Sequence, residues 1–544
     1  MTKPQLPYLL ILILLALPGM SFAQTTFTDV TQLAGVGDAG PGIGVAFGDY
    51  DNDGDLDIYV TKGGGLDLGT VGPNLLYRNN GNGTFTDVAS EAGVAHPGNG
   101  DNAAFGDYDN DGDLDIYLRN YREPDAFYRN NGDGTFSDVT TFSGIGKVMT
   151  GVGTALGDYD NDGDLDIFST HRAETRYPGH DVLYRNEGDG TFTDVAEIAG
   201  VKRSWEGFGT LFFDYDNDSD LDIYASNWIG FNVLYRNNGD GTFTDVTEDA
   251  GAGGKRYNAG VACGDYDNDG DLDIYVANVD HGVGMFYNTL YRNNGDGTFT
   301  DVASEAGVAY GAVLTTSVVV SFGDYDNDGY LDIYLTNGWS SPEANMLYRN
   351  NGDGTFMDVT GESGVGSIGR APGAAFGDYD NDGFLDIYVV NYEQPNVLYH
   401  NNGNDNNWLH VKTVGTMSNR DGIGARVRVV AGNLSMMREI SGSTGWGCFN
   451  SMMAEFGLGR NTEADLLEIR WPSGIVDTFT NVRANQVIEV TEGGSEFTEM
   501  EGLFVVIHGT FPIFGDPAGG TPVQIQGTSF LPGSRVFFGG NEAR

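Results

Sequence analysis

A nine-residue string, Asp-Tyr-Asp-Asn-Asp-Gly-Asp-Leu-Asp, opens at Asp49 and recurs in close copies at Asp107, Asp158, Asp214, Asp265, Asp324 and Asp378. Acids at positions 1, 3, 5 and 9 of so short a loop repel one another, and like charges a few ångströms apart need a counter-charge. A hard cation that takes many oxygen ligands, calcium above all, supplies one. Asp, Asn and Gly also favour ordinary turns, but turn formation does not require acids at the same four positions in every copy. The loops start 51 to 59 residues apart, a period that implies stacked or radially arranged units rather than independent domains.

Each unit has the same order of pieces. An apolar approach such as Val45-Ala46-Phe47-Gly48 leads into the Asp loop, and the alternating run Asp57-Ile58-Tyr59-Val60 leaves it. Next come Leu76-Tyr77-Arg78-Asn79, the turn Asn80-Gly81-Asn82-Gly83, and Thr84-Phe85-Thr86-Asp87-Val88. Asn-Gly and Asp-Gly between β-rich runs are strong hairpin signals, and no segment sustains a 3.6-residue period. Four short strands per unit and no helices predict an all-β, seven-bladed β-propeller. The last unit reaches Tyr399-His400-Asn401-Asn402-Gly403 and lacks its own Thr-Phe-Thr-Asp-Val. Thr26-Phe27-Thr28-Asp29-Val30 precedes the first loop and can supply that outer strand, closing the ring without an exposed edge. A linear β-solenoid is the rival architecture.

In the first loop Asp49, Asp51, Asp53 and Asp57 offer side-chain oxygens and Asp55 its backbone carbonyl, while Gly54 permits the positive-φ turn around the ion. An EF-hand would need a bidentate Glu at position 12, where this chain has Val60, Leu118, Ser169, Ala225, Val276, Leu335 and Val389. The loop therefore belongs in a β-hairpin, with water completing the shell.

These repeated loops resemble the FG-GAP/VCBS repeat family, the calcium-loop propellers related to integrin α-subunit heads. The resemblance implies side-chain ligation at positions 1, 3, 5 and 9 and carbonyl ligation at position 7, for up to seven Ca2+. It carries over to Asp107, Asp109, Asp111, Asp115 and, at position 7, Asp113 in the second loop. The third supplies Asp158, Asp160, Asp162, Asp166 and Asp164, and the fourth Asp214, Asp216, Asp218, Asp222 and Asp220. The fifth supplies Asp265, Asp267, Asp269, Asp273 and Asp271. The sixth supplies Asp324, Asp326, Asp328 and Asp332, with Tyr330 at position 7; the seventh has Asp378, Asp380, Asp382 and Asp386, with Phe384 there. Those aromatic residues are harmless if only the carbonyl binds. Ser219 stands where the first loop has Gly54; a left-handed non-glycine residue costs about 1–2 kcal/mol, so the fourth site is expected to be the weakest.

Formal net charge is −50, and the loops hold 33 of the 78 acidic residues. Much of the acidity is thus ligand supply, and the remainder is a solvated acidic face. Nucleic acid is excluded as a partner, since phosphate binding needs basic patches. With Kd near ~0.1 mM and ambient calcium of ~1 mM, each site would contribute about 1.4 kcal/mol. Seven would contribute roughly 10 kcal/mol, comparable to the net stability of a domain, so the metal is read as structural.

Residues 1–23 have the form of a secretory signal: Lys3, an apolar run over 9–17, and Ser21-Phe22-Ala23 at the cleavage point. The run is too short to span a membrane, and no later segment looks transmembrane. The chain is expected to be secreted, to the extracellular space, the cell surface or the periplasm. Cys263 and Cys448 are the two cysteines, too few for a disulfide framework. Cys263 takes the place held by Phe47 and Phe105 and reads as a buried apolar filler.

The propeller is placed at 24–405. Residues 406–492 follow, with Asn407-Trp408-Leu409-His410-Val411, Ser418-Asn419-Arg420-Asp421-Gly422, Phe456-Gly457-Leu458-Gly459 and Ile469-Arg470-Trp471-Pro472-Ser473-Gly474. They resemble the β-rich ASPIC/UnbV domain appended to such propellers in the cartilage acidic protein 1-like family. Arg420 and Asp421 are read as organising their own turn rather than as a binding site. An acidic linker spans 493–502. From 503 to 544, Gly519-Gly520-Thr521-Pro522-Val523 and Val536-Phe537-Phe538-Gly539-Gly540 resemble part of an immunoglobulin-like IPT/TIG domain.

The favoured function is a secreted calcium-binding scaffold for adhesion to an unidentified extracellular protein or glycan, built as a monomeric propeller. An enzyme acting on polysaccharide, a lyase or dehydrogenase, is the alternative, and the UnbV resemblance adds a biosynthetic accessory role. The seven histidines are scattered, with no nucleophile motif and no His/Cys cluster. Propeller active sites are assembled from distant loops, however, so segments 61–73, 171–180 and 279–287 are where catalytic groups would be sought.

Overall fold

In the computed structural model, each repeat builds one four-stranded antiparallel sheet. The residues described are 25–63, 72–146, 148–172, 179–204, 206–254, 257–279, 287–310, 316–339, 341–443 and 445–500, with the backbone of four short strands beyond 505. In the first unit Gly42–Gly48, Asp57–Lys62, Leu75–Asn79 and Phe85–Asp87 pair in chain order, and the Asp loop joins the first two. Register runs Gly48↔Asp57, Phe47↔Ile58 and Ile58↔Tyr77. Gly42–Gly48 is buried along its whole length, because neighbouring sheets cover both of its faces. The seventh unit takes its outer strand from the other end of the chain: Phe27 pairs with Asn401 and Asp29 with Tyr399.

The first strand of each unit packs against the first strand of the next, and that of the last against Gly42–Gly48, so the units form a closed, propeller-like ring. The core lies between adjacent sheets. Phe47 packs where a Cβ on Gly377 would come within 3.0 Å of its ring, and Phe105 likewise crowds Gly48, at 2.7 Å. Close approach of sheets there needs the glycine that ends the first strand, a residue present in every unit but the fourth, where Phe213 stands.

One feature differs from the sequence expectation of no helices. Each unit has a single four-residue helical turn after its outer strand, as in Thr31–Ala34 and Ala89–Ala92. The Asp of the Phe-Thr-Asp motif starts it: Asp87 Oδ1 accepts the Ala89 N–H at 3.1 Å and Asp29 Oδ1 the Thr31 N–H at 3.0 Å. Glycine at φ 78° or 85° ends it. A turn this short has no periodicity to detect.

The C-terminal region forms two four-stranded sheets. Asn407–Val414 is flanked by Ala454–Gly459 and Val487–Thr491 in one, and Arg426–Ala431 by Leu434–Glu439 and Glu463–Arg470 in the other. Thr498–Glu499 pairs with Ile488 and Glu489, so part of the stretch read as a linker folds back as an edge strand. Of the immunoglobulin-like reading, the described residues hold two hairpins, Val506–Phe511 with Gln524–Thr528 and Phe537–Phe538 with Asn541–Glu542. The rest of that region and the signal-like segment 1–23 lie outside the described residues, as do parts of the three variable segments. No helix among the described residues is long and apolar enough to cross a membrane.

Between Leu434–Glu439 and Ala454–Gly459 the chain enters the centre of the ring. Leu156 N–H donates to the Gly442 carbonyl at 3.0 Å, and the Ser443 hydroxyl to the carbonyls of Thr154 and Thr210 at 2.9 and 3.1 Å. Trp446 packs against Phe208 and Trp339, with ring centroids 4.7 and 5.3 Å apart. Cys448–Phe449 adds a parallel strand beside Val45 and Ala46. Gly445 and Gly447 flank the indole where a Cβ would meet backbone oxygens at 2.1 and 2.4 Å. Neither cysteine is in a disulfide; Cys448 is buried in this plug, whereas Cys263 is only half-buried against the apolar core between units four and five.

Candidate metal centres

All seven loops have one construction. The position-1 carboxylate folds the loop around itself: Asp49 accepts the N–H groups of Asp53 and Gly54 at 3.1 and 3.2 Å, and Asp107 those of Asp111 and Gly112 at 3.0 and 2.7 Å. Position 5 accepts the N–H of position 7, as in Asp53 with Asp55 at 3.0 Å. Position 9 ties the loop to its sheet: Asp57 accepts the Tyr50 N–H at 3.1 Å and the Asn79 N–H at 2.7 Å. Position 3 is different. One carboxylate oxygen of Asp51, Asp160, Asp216, Asp267 and Asp326 is buried with no hydrogen-bond partner. An orphaned buried carboxylate oxygen is costly, and a dication held at that point would satisfy it. The donor set is all oxygen, which suits calcium.

Carboxylate oxygens of Asp49, Asp51 and Asp53 gather within 4.8 Å of one another. So do those of Asp107, Asp109 and Asp115, of Asp158, Asp160 and Asp166, and of Asp214, Asp216 and Asp218. Burial, reinforced by neighbouring carboxylates, pushes these acids up. Asp49 rises to about 6, Asp107 and Asp158 to about 7, Asp115 to about 8 and Asp57 to about 9, backbone hydrogen bonds opposing the rise.

Two sets of asparagines, absent from the sequence reading, link these loops. At position 4, where φ is positive, Asn52 donates to Asp113 at 2.8 Å, Asn110 to Asp164 at 2.8 Å, Asn161 to Asp220 at 2.8 Å and Asn217 to Asp271 at 2.7 Å. Asn381 of the seventh loop donates to Asp55 of the first at 2.8 Å. Position-7 side chains thus join loops to one another. Where Tyr330 and Phe384 replace Asp, Asn268 and Asn327 donate to the carbonyls of Gly329 and Gly383 at 3.0 and 2.8 Å. The second set sits at the end of each third strand. Asn130 donates to the Tyr50 carbonyl at 2.8 Å, Asn186 to that of Tyr108 at 2.9 Å, and Asn79 closes the circle on Tyr379 at 2.7 Å. Recurrence of both residues at fixed places in every repeat was the available signal.

The C-terminal sheets sit on this loop face. Asp421, expected to organise its own turn, instead accepts the Asp107 N–H at 2.8 Å, and Arg420 N–H donates to Asn110 at 3.1 Å. Arg470 is exposed beside Glu468. Arg426 Nη2 donates to the Asp214 carbonyl at 2.6 Å, and its Nε lies 3.6 Å from Asp214 Oδ2. Gly457 N–H donates to Asp324 at 3.0 Å.

Matches to known families agree with this construction. A model described as FG-GAP-like repeat matches residues 66–118, 107–169, 173–225, 214–276, 265–335 and 336–389. A model described as ASPIC and UnbV matches 415–497. Cartilage acidic protein 1 of Mus musculus is 30% identical over 518 residues, covering 87% of this chain and 78% of that protein. That of Homo sapiens is 29% identical over 532 residues, covering 89% and 78%. Among solved structures, a Bacillus licheniformis rhamnogalacturonan lyase aligns at TM-score 0.39 and 12% identity, over 69% of this chain and 75% of that one, too distant to bear on activity. An all-β ring of aspartate-loop sheets carrying a β-rich C-terminal region is the class of protein at hand. The chain belongs to the FG-GAP repeat family that includes cartilage acidic protein 1.

Proposed function

We propose that this chain is a secreted, seven-bladed propeller that serves as an extracellular binding scaffold and is stiffened by structural calcium in its blade loops. The single observation that carries the calcium reading is the position-3 carboxylate oxygen, buried and without a hydrogen-bond partner in five of the loops. Asp, at positions 1, 3, 5 and 9, and the position-7 carbonyl would hold the ion. The ion would supply charge neutralisation and no reaction step. The relatives are named for cartilage, a tissue rich in extracellular matrix, and the signal-like segment 1–23 agrees with export.

With the loop face occupied by the C-terminal sheets, the opposite mouth of the ring is the surface left for a ligand. Ile43, Asp101, Trp339, Arg370 and Tyr392 line a small cavity there. Trp228 and Phe208 stack nearby with centroids 5.2 Å apart, and the Arg370 guanidinium lies 4.6 Å from the Tyr392 ring centroid. Aromatic faces beside charged groups suit a glycan or an extended protein segment.

The test is calorimetry of the full chain with calcium and with excess chelator, followed by presentation of the calcium-loaded protein to glycan and matrix-protein arrays. A chelated melt lower by tens of degrees and saturable binding lost on Trp339→Ala support the proposal. An unchanged melt in chelator sinks the calcium reading, and depolymerisation of a polysaccharide without a bound partner replaces the scaffold with an enzyme.

A further inference from the structure

The seventh unit departs from the other six at one residue of its third strand. Between the Tyr and Asn of that strand the first six carry Arg78, Arg129, Arg185, Arg236, Arg292 and Arg349; the seventh, Val397–Asn401, carries His400. In the six, the guanidinium serves as a counter-charge beside the position-3 carboxylate, as Arg78 does for Asp51. A guanidinium stays protonated and offers no lone pair to a metal, whereas a neutral imidazole does.

The structure brings that imidazole into the loop. His400 Nδ1 is buried and makes no hydrogen bond. It lies 3.3 Å from Asp380 Oδ2 and 3.3 Å from Asp386 Oδ1. Asp380 is position 3 of the loop and Asp386 is position 9, and the Asp386 side chain is fully buried. The three donors fall within 4.8 Å of one another. Donors separated by about 3.3 Å are what a four-coordinate ion with bonds of about 2.0–2.1 Å requires. A nitrogen in the donor set moves preference from calcium toward zinc and its first-row neighbours. A second imidazole, His410 from the C-terminal sheets, has its Nδ1 3.7 Å from Oδ2 of Asp378 at position 1 and is not part of the donor set.

We propose that the seventh loop is a site for a borderline transition-metal dication, zinc(II) being the type case, held by His400 Nδ1 and the carboxylates of Asp380 and Asp386. The proposal rests on reading the loops as dication sites and differs in which ion one of them selects.

The full chain, saturated with calcium, is titrated with zinc(II), passed through a desalting column and assayed for both metals; cobalt(II) serves as a spectroscopic probe in a parallel titration. His400→Arg installs the residue of the other six units, and His400→Gln removes the ring nitrogen without adding charge. Wild type is expected to retain one zinc equivalent more than either variant, and cobalt to develop visible d–d absorption that both variants lose, with calcium content in the other loops unchanged. Equal zinc retention in all three proteins, or zinc lost to millimolar calcium in wild type, overturns the proposal. Calcium counted in the same samples judges the structural-calcium reading separately, because calcium missing from the remaining loops counts against that reading whatever the seventh loop retains.

Discussion

At the scale of single residues, the loops are governed by two terms: backbone conformation at position 6 and the protonation of buried acids. Ser219 adopts φ 74° where the other loops have glycine, and Arg426 lies 3.6 Å from the Asp214 carboxylate of the same loop. Both features weaken a cation site there. Ser219→Gly should raise stability in calcium by about 1 kcal/mol, read from denaturant melts, and the fourth loop should fill last in a calcium titration. The acids set a pH dependence whose sign calcium inverts. Asp49, Asp115 and Asp57 are raised to about 6, 8 and 9 by burial, so without metal the folded state binds more protons than the unfolded chain between their unfolded and folded values. Their contribution is present at low pH and disappears as pH rises through about 6 to 9. Calcium binds only the deprotonated loops, so its contribution grows over the same interval. Melting curves at pH 5.5 and 8.5 should therefore shift downward with pH in chelator and upward in calcium; parallel shifts would show that the loop acids do not take up the metal.

At the scale of elements, stability depends on how sheets are latched to their neighbours. Asn79 is buried and satisfies the Leu56 carbonyl of its own unit at 3.1 Å and, across the seam between the first and seventh units, the Tyr379 carbonyl at 2.7 Å. Asn79→Ala leaves these acceptors unpaired at a cost of about 1–3 kcal/mol, and exposed Asn80→Ala in the adjacent turn should be near neutral. Equal melting temperatures for the two would show that the seam does not limit stability. Trp446 is a plug residue buried among Phe208 and Trp339. Trp446→Ala should cost about 3–5 kcal/mol. Because the plug bonds to several units at once, the loss should appear as one cooperative transition at lower temperature. Separate melting of ring and C-terminal sheets in the wild type would contradict that coupling.

At the scale of the whole molecule, a net charge of −50 makes the compact state repel itself, and both bound cations and screening salt relieve this. Raising sodium chloride from about 0.02 M to 0.5 M, where the Debye length falls several-fold, should raise the melting temperature of chelated protein and have a smaller effect on the calcium-loaded form. The two C-terminal sheets add a second constraint on this scale. They meet the loop face through Asp421, Arg426, Gly457 and His410, so residues of the loops are also residues of the domain interface.

The strands and the position of every aspartate loop were legible in the sequence because they are local: alternation, Asn-Gly turns and acids at fixed spacing are properties of ten consecutive residues. The closing strand Phe27–Asp29 was legible too, since a missing piece at one end matched a spare piece at the other. What the tertiary structure decided is everything that depends on distance through space. Where position 7 is Asp, its side chain accepts from the asparagine of the preceding loop, Asp421 serves Asp107 rather than its own turn, and the segment around Trp446 fills the ring's centre. Each is a contact between residues far apart in the chain, set by packing that no local pattern encodes. The helical turns are an intermediate case: their Asp and Gly caps were in plain sight, but four residues are too few for a periodicity to show.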